Sequence, residues 1–315
     1  MNGKLLSDLA GLGAAFTWGL SALAWSFAGR RAGSLAVACI RILLAALIMA
    51  VIHLIFFGIP FPWDMEGESF WLLVASGAIA MGFGDICLFR GLVMIGPRLG
   101  MLIMSFSPIL TTVMAWGMVG EGLGLRAIAG IVLTVAGVAW VVAEPHGQRS
   151  WGVQPGHFKQ GVALCLAATA LIAVGFVLSS IALKGGERHF TAGPPLPPTN
   201  RFSATLTRVA ASTVVSWSIL PLLGRFRRTV KVMADRKAMR YIVPGTIVGP
   251  IIGVWLSMTA LAGAATGVAS ALINTSPIMM IPMTYIAYRE KPTLRTLAGT
   301  IVAVAGIFLL MVRAR

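Results

Sequence analysis

Four fully charged side chains stand inside long apolar stretches of the sequence, and their chemistry needs an explanation: Arg41, Asp85, Arg90 and Arg208. A charge at the centre of a bilayer costs at least about 2.5 kcal/mol, so such residues normally face the interior of a helix bundle and have partners. Guanidinium and carboxylate groups bind polar small molecules through charge-assisted hydrogen bonds, and a carboxylate can also carry a proton. The four residues therefore predict a polar binding or coupling site among buried helices.

Asp85 and Arg90 are not expected to form a local pair, although only five positions separate them. On an α-helix this spacing rotates the second side chain by about 140° and moves it about 7.5 Å along the axis. Asp85 is therefore expected to pair across helices, with Arg41 as the first candidate, because both arginines lie near connectors on one side of the membrane. In the alternative, the arginines extend to lipid headgroups, and hydroxyl or backbone groups hold Asp85.

Three neutral or titratable residues inside the apolar stretches are further candidates. Asn274 lies at a depth similar to that of Asp85, and Trp18 lies in the first stretch. We expect both to contribute to a substrate pocket. His53, in the second stretch, is expected to lie near an interface or to be hydrogen-bonded within the bundle rather than to carry protons.

Two prolines and two glutamates stand at matching places in the chain. Pro108 and Pro277 lie about ten residues into their stretches, and each frees a backbone carbonyl that protein or a wet cavity must satisfy. They predict helix breaks whose carbonyls line a central cavity, with kinks for packing as the alternative. Glu121 and Glu290 precede the next stretch, where a carboxylate interacts favourably with the helix dipole. We interpret these two glutamates as structural caps.

The elements that position these residues are predicted to be membrane-spanning helices. Of the 315 residues, 57% are hydrophobic and 11% charged, whereas an ordinary soluble domain is roughly 25% charged. A helix needs about 20 apolar residues to cross a bilayer. Ten such segments follow one another, at about residues 8–28, 35–57, 70–95, 99–119, 125–143, 160–183, 203–223, 241–262, 266–287 and 293–312.

Charge and motifs argue against several functional classes. The net charge of +15 is spread over short connectors, which is typical of basic loops that orient helices and not of a nucleic-acid-binding face. Cys39, Cys87 and Cys165 fit neither a disulfide framework nor a zinc site. The apolar segments contain no HExxH or GxSxG motif and no close acidic pair, so we predict no enzyme, no metal site and no cofactor.

An internal repeat divides the chain into two halves. Residues 107–137 aligned with residues 276–306 match at twelve of 31 positions without a gap. The matches include both prolines and both glutamates named above, but Asp85 falls over Val254. We place the first five-helix repeat at residues 1–143, a linker at 144–159 and the second repeat at 160–315. Since five is an odd number, the two repeats are expected to cross the membrane in opposite directions, an arrangement typical of secondary transporters.

The chain resembles EamA-type members of the drug/metabolite transporter superfamily. The resemblance rests on the ten-segment layout, on the Pro-containing fourth and ninth segments that end in GEGLGLRAIAG and REKPTLRTLAG, and on the glycine-rich fifth and tenth segments. It carries over to Pro108, Glu121, Pro277 and Glu290, and more weakly to Trp18, Arg41 and Arg208. It implies a ten-helix bundle that moves amino acids, metabolites or xenobiotics across the inner membrane, often as export.

The expected function is secondary active transport of a small metabolite or drug-like molecule, with export favoured and proton coupling through Asp85 as an open option. The expected partners are the substrate, the lipid bilayer of a bacterial inner membrane and protons, with no nucleic acid, in a monomer or homodimer. Two alternatives remain: a non-transporting scaffold or lipid-carrier subunit, and a membrane-embedded enzyme. Connectors on one side carry about twice as many Lys and Arg residues as those on the other, which predicts external termini, whereas the resemblance implies cytoplasmic ones.

Overall fold

The computed structural model describes residues 3–65, 67–95, 97–142, 158–185, 197–288 and 293–311. These residues form helices joined by short connectors, and no strand occurs among them. The α-helices are α1 (Gly3–Ala32), α2 (Ser34–Phe57), α3 (Gly67–Ser76), α4 (Asp85–Ile95), α5 (Pro97–Met104), α6 (Ser107–Val119), α7 (Leu125–Val142), α8 (Phe158–Lys184), α9 (Arg201–Leu222), α10 (Phe226–Met233), α11 (Arg236–Thr246), α12 (Val254–Gly263), α13 (Thr266–Ile273), α14 (Ser276–Tyr288) and α15 (Leu294–Met311). Two π-helical segments, Gly77–Gly84 and Ile247–Gly253, join α3 to α4 and α11 to α12.

The predicted class, an all-helical multi-pass membrane protein, is confirmed, while the count of ten spans stays a prediction. Five continuous helical stretches are long and apolar enough to cross a bilayer: Leu5–Gly29, Ser34–Phe57, Gly67–Leu92, Phe158–Lys184 and Arg236–Gly263. Shorter apolar helices cover Ser107–Val119, Leu125–Val141 and Leu297–Met311. The fourth and ninth predicted segments fall short in length because each is interrupted in its middle.

Both interruptions lie directly before the paired prolines. Helix α5 ends at Met104, a two-residue turn follows, and Pro108 is the second residue of α6. Helix α13 ends at Ile273, Asn274 and Thr275 form the matching turn, and Pro277 is the second residue of α14. Proline suits a first helical turn, where its missing amide has no partner to lose. The chain breaks at the predicted places, and the prolines begin the second helix of each broken segment.

The internal repeat is visible in the helix bounds themselves. When 169 is added to the first and last residue of each element from α3 to α7, the result lies within one or two residues of the bounds of an element in the second half. The π-helical segments correspond in the same way, so that Asp85 and Val254 each begin the α-helix that follows. The corresponding elements are α3 and α11, the two π-helical segments, α4 and α12, α5 and α13, α6 and α14, and α7 and α15.

The repeat-related helices α7 and α15 pack against each other along glycines. A β-carbon added at Gly130 would meet Leu310 and the Gly306 backbone, and one at Gly299 would meet Val141 and the Gly137 backbone. Positions early in one helix thus face positions late in the other. The two helices therefore run antiparallel, although they occupy the same place in their repeats.

The first helix of each half packs along the third segment of the other half. Helix α1 contacts α11, the second π-helical segment and α12, and α8 contacts α3, the first π-helical segment and α4. Three glycines at four-residue spacing, Gly245, Gly249 and Gly253, form a glycine stripe that lets this segment of the second half approach α1 closely. A β-carbon at Gly245 or Gly249 would collide with Trp25, and one at Gly253 would crowd Thr17. The largest hydrophobic core accordingly draws on both halves.

Candidate functional site

The predicted pairing of Asp85 with another helix is confirmed. Arg41, the eighth residue of α2, donates from Nη2 to Asp85 Oδ2 at 2.5 Å, across 44 residues of sequence. The Arg41 side chain is 5% exposed and that of Asp85 is 21% exposed. The pair is therefore inside the protein, with its carboxylate the more accessible partner.

The π-helical segment before α4 sets the position of Asp85. Asp85 is the residue at which the segment Gly77–Gly84 returns to α-helix. A π-helical stretch changes the direction of the side chains that follow it and is often found at functional sites. The segment lies against α9, where a β-carbon at Gly77 would collide with the backbone of Arg208. The contact with the second half thus fixes the segment that presents Asp85.

Aromatic rings lie close to the Arg41 guanidinium. The guanidinium carbon of Arg41 lies 4.2 Å from the centre of the Trp25 ring and 5.9 Å from that of Phe89, within the range of a cation–π interaction. Trp18 lies edge-to-face on Trp25, with ring centres 6.1 Å apart. Trp18 is therefore in contact with the ring that covers Arg41, and sequence reasoning missed that ring, Trp25. The spacing of seven residues, two turns along one face of α1, was the available signal.

Two buried nitrogen donors at this site have no hydrogen-bond partner among the described residues: Arg41 Nε and Trp25 Nε1. An unsatisfied buried donor costs about 1–3 kcal/mol. An acceptor oxygen would stabilise either donor. Trp25 Nε1 lies against α11, 2.5 Å from where a β-carbon of Gly245 would stand, whereas Arg41 Nε belongs to the ion pair with Asp85.

The second half carries a buried arginine without a carboxylate partner among the described contacts. Arg208 is the eighth residue of α9 and is 2% exposed. Its Nη1 lies 3.1 Å from the sulfur of Met258, and its Nε has no partner within the described residues. Val254, which occupies the position of Asp85 in the repeat, is buried.

Arg90 does not join the site. It is exposed, and no ion pair to it is found within the described parts of the chain. The expectation that it would belong to one polar group with Arg41 and Asp85 is therefore not met by the geometry. The cause is the rotation of about 140° between positions 85 and 90 of one helix.

Asn274 lies in the break of the ninth segment, and its hydrogen bonds are local. Its Nδ2 donates to the Ser270 carbonyl at 2.8 Å, and the Ser270 hydroxyl donates to Thr111 Oγ1 at 3.3 Å. The structure therefore places Asn274 at the contact of α13 with α6 and does not bring it to Asp85. His53 is buried, with its ring nitrogens 2.7 Å from the Ile59 carbonyl and 3.0 Å from Ser203 Oγ, which confirms the expectation of a hydrogen-bonded histidine.

Glu121 caps a helix, but not the one predicted. Instead of α7, which follows it in sequence, its carboxylate accepts from the backbone N–H of Thr266 at 2.8 Å and from the Thr266 hydroxyl at 3.1 Å, at the start of α13. It also accepts from Lys184 Nζ at the end of α8. The connector between α6 and α7 lies against the second half here, so the nearest helix N-terminus is α13. Glu290 lies outside the described residues.

A second ion pair joins the two halves at the other end of the bundle. Arg31, at the end of α1, donates from Nε to Asp235 Oδ2 at 2.5 Å. Asp235 is also the N-cap of α11, where it accepts from the backbone N–H groups of Lys237 and Ala238. The hydrogen bond from Arg31 is the main cause that lowers the pKa of Asp235 below its ordinary value.

Comparisons with known proteins agree with this architecture. The model of the EamA-like transporter family matches residues 5–143 and 159–312. A solved structure, titled only as the crystal structure of a protein, aligns with a TM-score of 0.71 and 15% identity over 97% of this chain and 96% of its own, so the two share a fold. The curated proteins include no match. Because the family model covers both halves almost end to end, the chain belongs to the EamA-like transporter family.

Proposed function

We propose that the protein is a secondary active transporter that moves a small polar molecule by alternating access, with Arg41 and Asp85 at its substrate site. The observation that carries the proposal is the interior Arg41–Asp85 pair, in which Arg41 Nε has no hydrogen-bond partner among the described residues. Membership of a transporter family supports transport as such, and the pair supplies two opposite charges inside the bundle.

The arrangement of the halves supports alternating access. The antiparallel packing of α7 and α15 is what inverted repeats would produce, and inverted repeats commonly rock against each other around a central site. In the predicted topology the pairs Lys184–Glu121 and Arg31–Asp235 lie at opposite faces of the membrane, and each joins one half to the other. We propose that the two pairs separate in turn, each opening one face.

The unpartnered donor of Arg41 indicates the kind of substrate. Arg41 Nε has no acceptor among the described residues, so we propose a metabolite or drug-like molecule that carries a carboxylate or carbonyl group. The indole and phenyl rings around Arg41 provide apolar contact for the remainder of such a molecule. Asn274 and Arg90 are not part of this proposed site.

Proton coupling and export complete the proposal. Because export driven by an inward proton gradient requires exchange, we propose that substrate and proton occupy the site in turn. From the cytoplasmic face, a substrate would place its acceptor group on Arg41 and a donor group on the ionised carboxylate of Asp85. A proton that enters from the opposite face would neutralise Asp85, remove one of these two contacts and release the substrate. Passage of the proton to the cytoplasm would restore the ionised site, so that an inward proton gradient drives export across a bacterial inner membrane, by a monomer or a homodimer.

Reconstitution into proteoliposomes tests the function. Purified protein is assayed for flux of a panel of amino acids, organic acids and amines, with and without an imposed pH gradient. We expect saturable flux of at least one acceptor-bearing compound, acceleration by the gradient, and loss of flux in Asp85→Asn. No flux for any compound, together with wild-type behaviour of Asp85→Asn, would favour a scaffold or lipid-carrier subunit. Chemical conversion of a panel member would instead indicate an enzyme.

A further inference from the structure

We infer that α10 and the first turn of α11 form a surface that binds the headgroups of anionic phospholipids. Residues 224–241, which comprise α10 and the start of α11, carry seven cationic side chains and one acidic one. They lead into Arg236–Gly263, one of the helical stretches able to cross a bilayer. This segment is therefore held at the membrane surface, where lipid headgroups are its nearest neighbours.

Helix α10 separates basic from apolar side chains. At about 100° per residue, Arg227, Arg228 and Lys231 share one face of the helix, and all three are exposed. Phe226, Val230 and Met233 lie on the opposite face. A short helix of this kind lies in the plane of the membrane interface, with its apolar face toward the acyl chains and its basic face toward the headgroups.

The apolar face is only partly covered by protein. Met233 packs against the core cluster that contains Ile242, and Phe226 lies edge-to-face on Trp217. Yet Phe226 remains 43% exposed and Val230 42% exposed. The helix is thus anchored to the bundle on one side and leaves apolar surface that lipid chains can cover.

A cleft between α1 and α11 offers a place for a phosphate. It has a volume of about 320 Å³ and is lined by Phe27 and Arg31 of α1 and by Lys237, Arg240 and Tyr241 of α11. Phe27 and Tyr241 stack with ring centres 5.5 Å apart. Asp235 accepts from Arg31 close to this cleft. The cationic groups of Lys237 and Arg240 are both exposed and remain able to bind an anion.

Charge complementarity selects the lipid over a second copy of this chain. Two copies that met at this surface would bring their cationic side chains together, and like charges across an interface are unfavourable. Anionic headgroups match the basic face, and lipid chains match the uncovered apolar one. Each surface Lys or Arg near anionic lipid strengthens binding by about fivefold.

Native mass spectrometry of the full-length protein tests this inference. Delipidated protein in a neutral detergent is titrated with short-chain phosphatidylglycerol, with phosphatidylcholine of the same chain length, and with glycerol 3-phosphate. We expect preferential binding of phosphatidylglycerol, weakened about 25-fold in the double variant Arg227→Gln/Arg228→Gln. A matched double variant on the opposite face, Arg126→Gln/Arg201→Gln, should keep the wild-type affinity within twofold. Because all four side chains are exposed, both variants should fold.

Four outcomes would overturn the inference. Equal binding of phosphatidylglycerol and phosphatidylcholine would remove the charge selectivity, and unchanged affinity in Arg227→Gln/Arg228→Gln would remove α10 from the site. Binding of glycerol 3-phosphate as tight as that of the lipid would assign the surface to a soluble anion. A wild-type dimer that Arg227→Gln/Arg228→Gln abolishes and Arg126→Gln/Arg201→Gln preserves, with no preference between the two lipids, would assign the surface to a second copy of the chain. None of these results depends on whether the protein transports a substrate.

Discussion

Arg41 and Arg208 occupy equivalent places in the two halves but have different surroundings. Each is the eighth residue of the second long helix of its half, and each is buried. Arg41 contacts the carboxylate of Asp85 and the ring of Trp25, whereas Arg208 contacts the sulfur of Met258. Phe89, beside Arg41, and Met258, beside Arg208, are equivalent positions of the repeat. One half thus has an ion pair where the other has a charge beside a thioether.

The difference teaches that the scaffold is shared by both halves and the polar site is not. Helix bounds, π-helical segments and proline breaks recur in both halves, because they satisfy backbone and packing requirements that the two halves share. The carboxylate has no such requirement, since Val254 fills its place with an apolar side chain. A carboxylate that stands in one half only supports the proposed role of Asp85 in binding or coupling.

The largest effect is expected when the first half is made like the second. Asp85→Val leaves the buried Arg41 without its carboxylate, and removal of one partner from a buried pair destabilises a protein by about 3 kcal/mol. The free energy of unfolding in mixed detergent measures this loss. Arg41→Met/Asp85→Val, which removes both charges, should recover much of it. Equal stability of Asp85→Val and the wild type would show that the pair is not an interaction of the folded protein.

The reverse change, which makes the second half like the first, should have a smaller effect. Val254 lies one helical turn before Met258, whose sulfur contacts Arg208. A carboxylate at position 254 should therefore reach the guanidinium. We expect Val254→Asp to be more stable than Val254→Asn by about 1.5 kcal/mol, the lower end of what a hydrogen bond to a charged group contributes. A higher stability of Val254→Asn would show that the Arg208 guanidinium does not face position 254 in the way that the Arg41 guanidinium faces position 85.

The two halves are also joined by an ion pair at each end of the bundle, and the pair of Glu121 with Lys184 is the less exposed of the two. Glu121→Ala removes the acceptor for two Thr266 donors and the partner of Lys184, and loss of such a cap costs about 1–2 kcal/mol. Glu121→Gln keeps an acceptor oxygen and should lose about half as much. Thermal unfolding in detergent distinguishes the two variants. Identical melting of Glu121→Ala and the wild type would contradict the assigned cap.

The smallest effect is expected at the other end, where the partners are more exposed. The side chains of Arg31 and Asp235 are 53% and 29% exposed, so solvent and salt screen their interaction. Folding lowers the pKa of Asp235. The ionised carboxylate therefore stabilises the folded protein at pH values above the pKa of the unfolded chain, and this stabilisation is lost as pH falls through the pKa of the folded protein. Melting curves of the wild type and Asp235→Asn should differ slightly at pH 7 and converge below about pH 4. A difference that grows toward acid pH would reverse the assigned direction.

Much of the fold was predictable because membrane helices leave strong local signals. The apolar segments, the breaks before Pro108 and Pro277 and the repeat are all encoded within single stretches of sequence, where length and composition decide the structure. The separation of Asp85 from Arg90 also followed from helical rotation alone. These features need no knowledge of how distant helices pack.

The site was predictable only in part because its partners come from distant positions. Pairing of Asp85 with Arg41 followed from chain direction. Trp25, however, packs between Arg41 and the glycines Gly245 and Gly249 of the second half, and a contact between the two halves cannot be read from the positions of residues on one helix. Glu121 was expected to cap the next helix, yet the packing of its connector brings it to Thr266, 145 residues away. Tertiary contacts of this range depend on which helix faces which, and a single sequence does not specify that.

Flux through proteoliposomes that contain the two reciprocal variants tests the central claim most directly. The claim is that transport depends on the carboxylate of the first half, so Asp85→Val should abolish substrate flux at equal folded protein content, while Val254→Asp should retain it. Arg41→Met/Asp85→Val, with stability largely restored, should still be inactive. Wild-type flux in Asp85→Val would contradict the account, because the site would then lie elsewhere in the bundle.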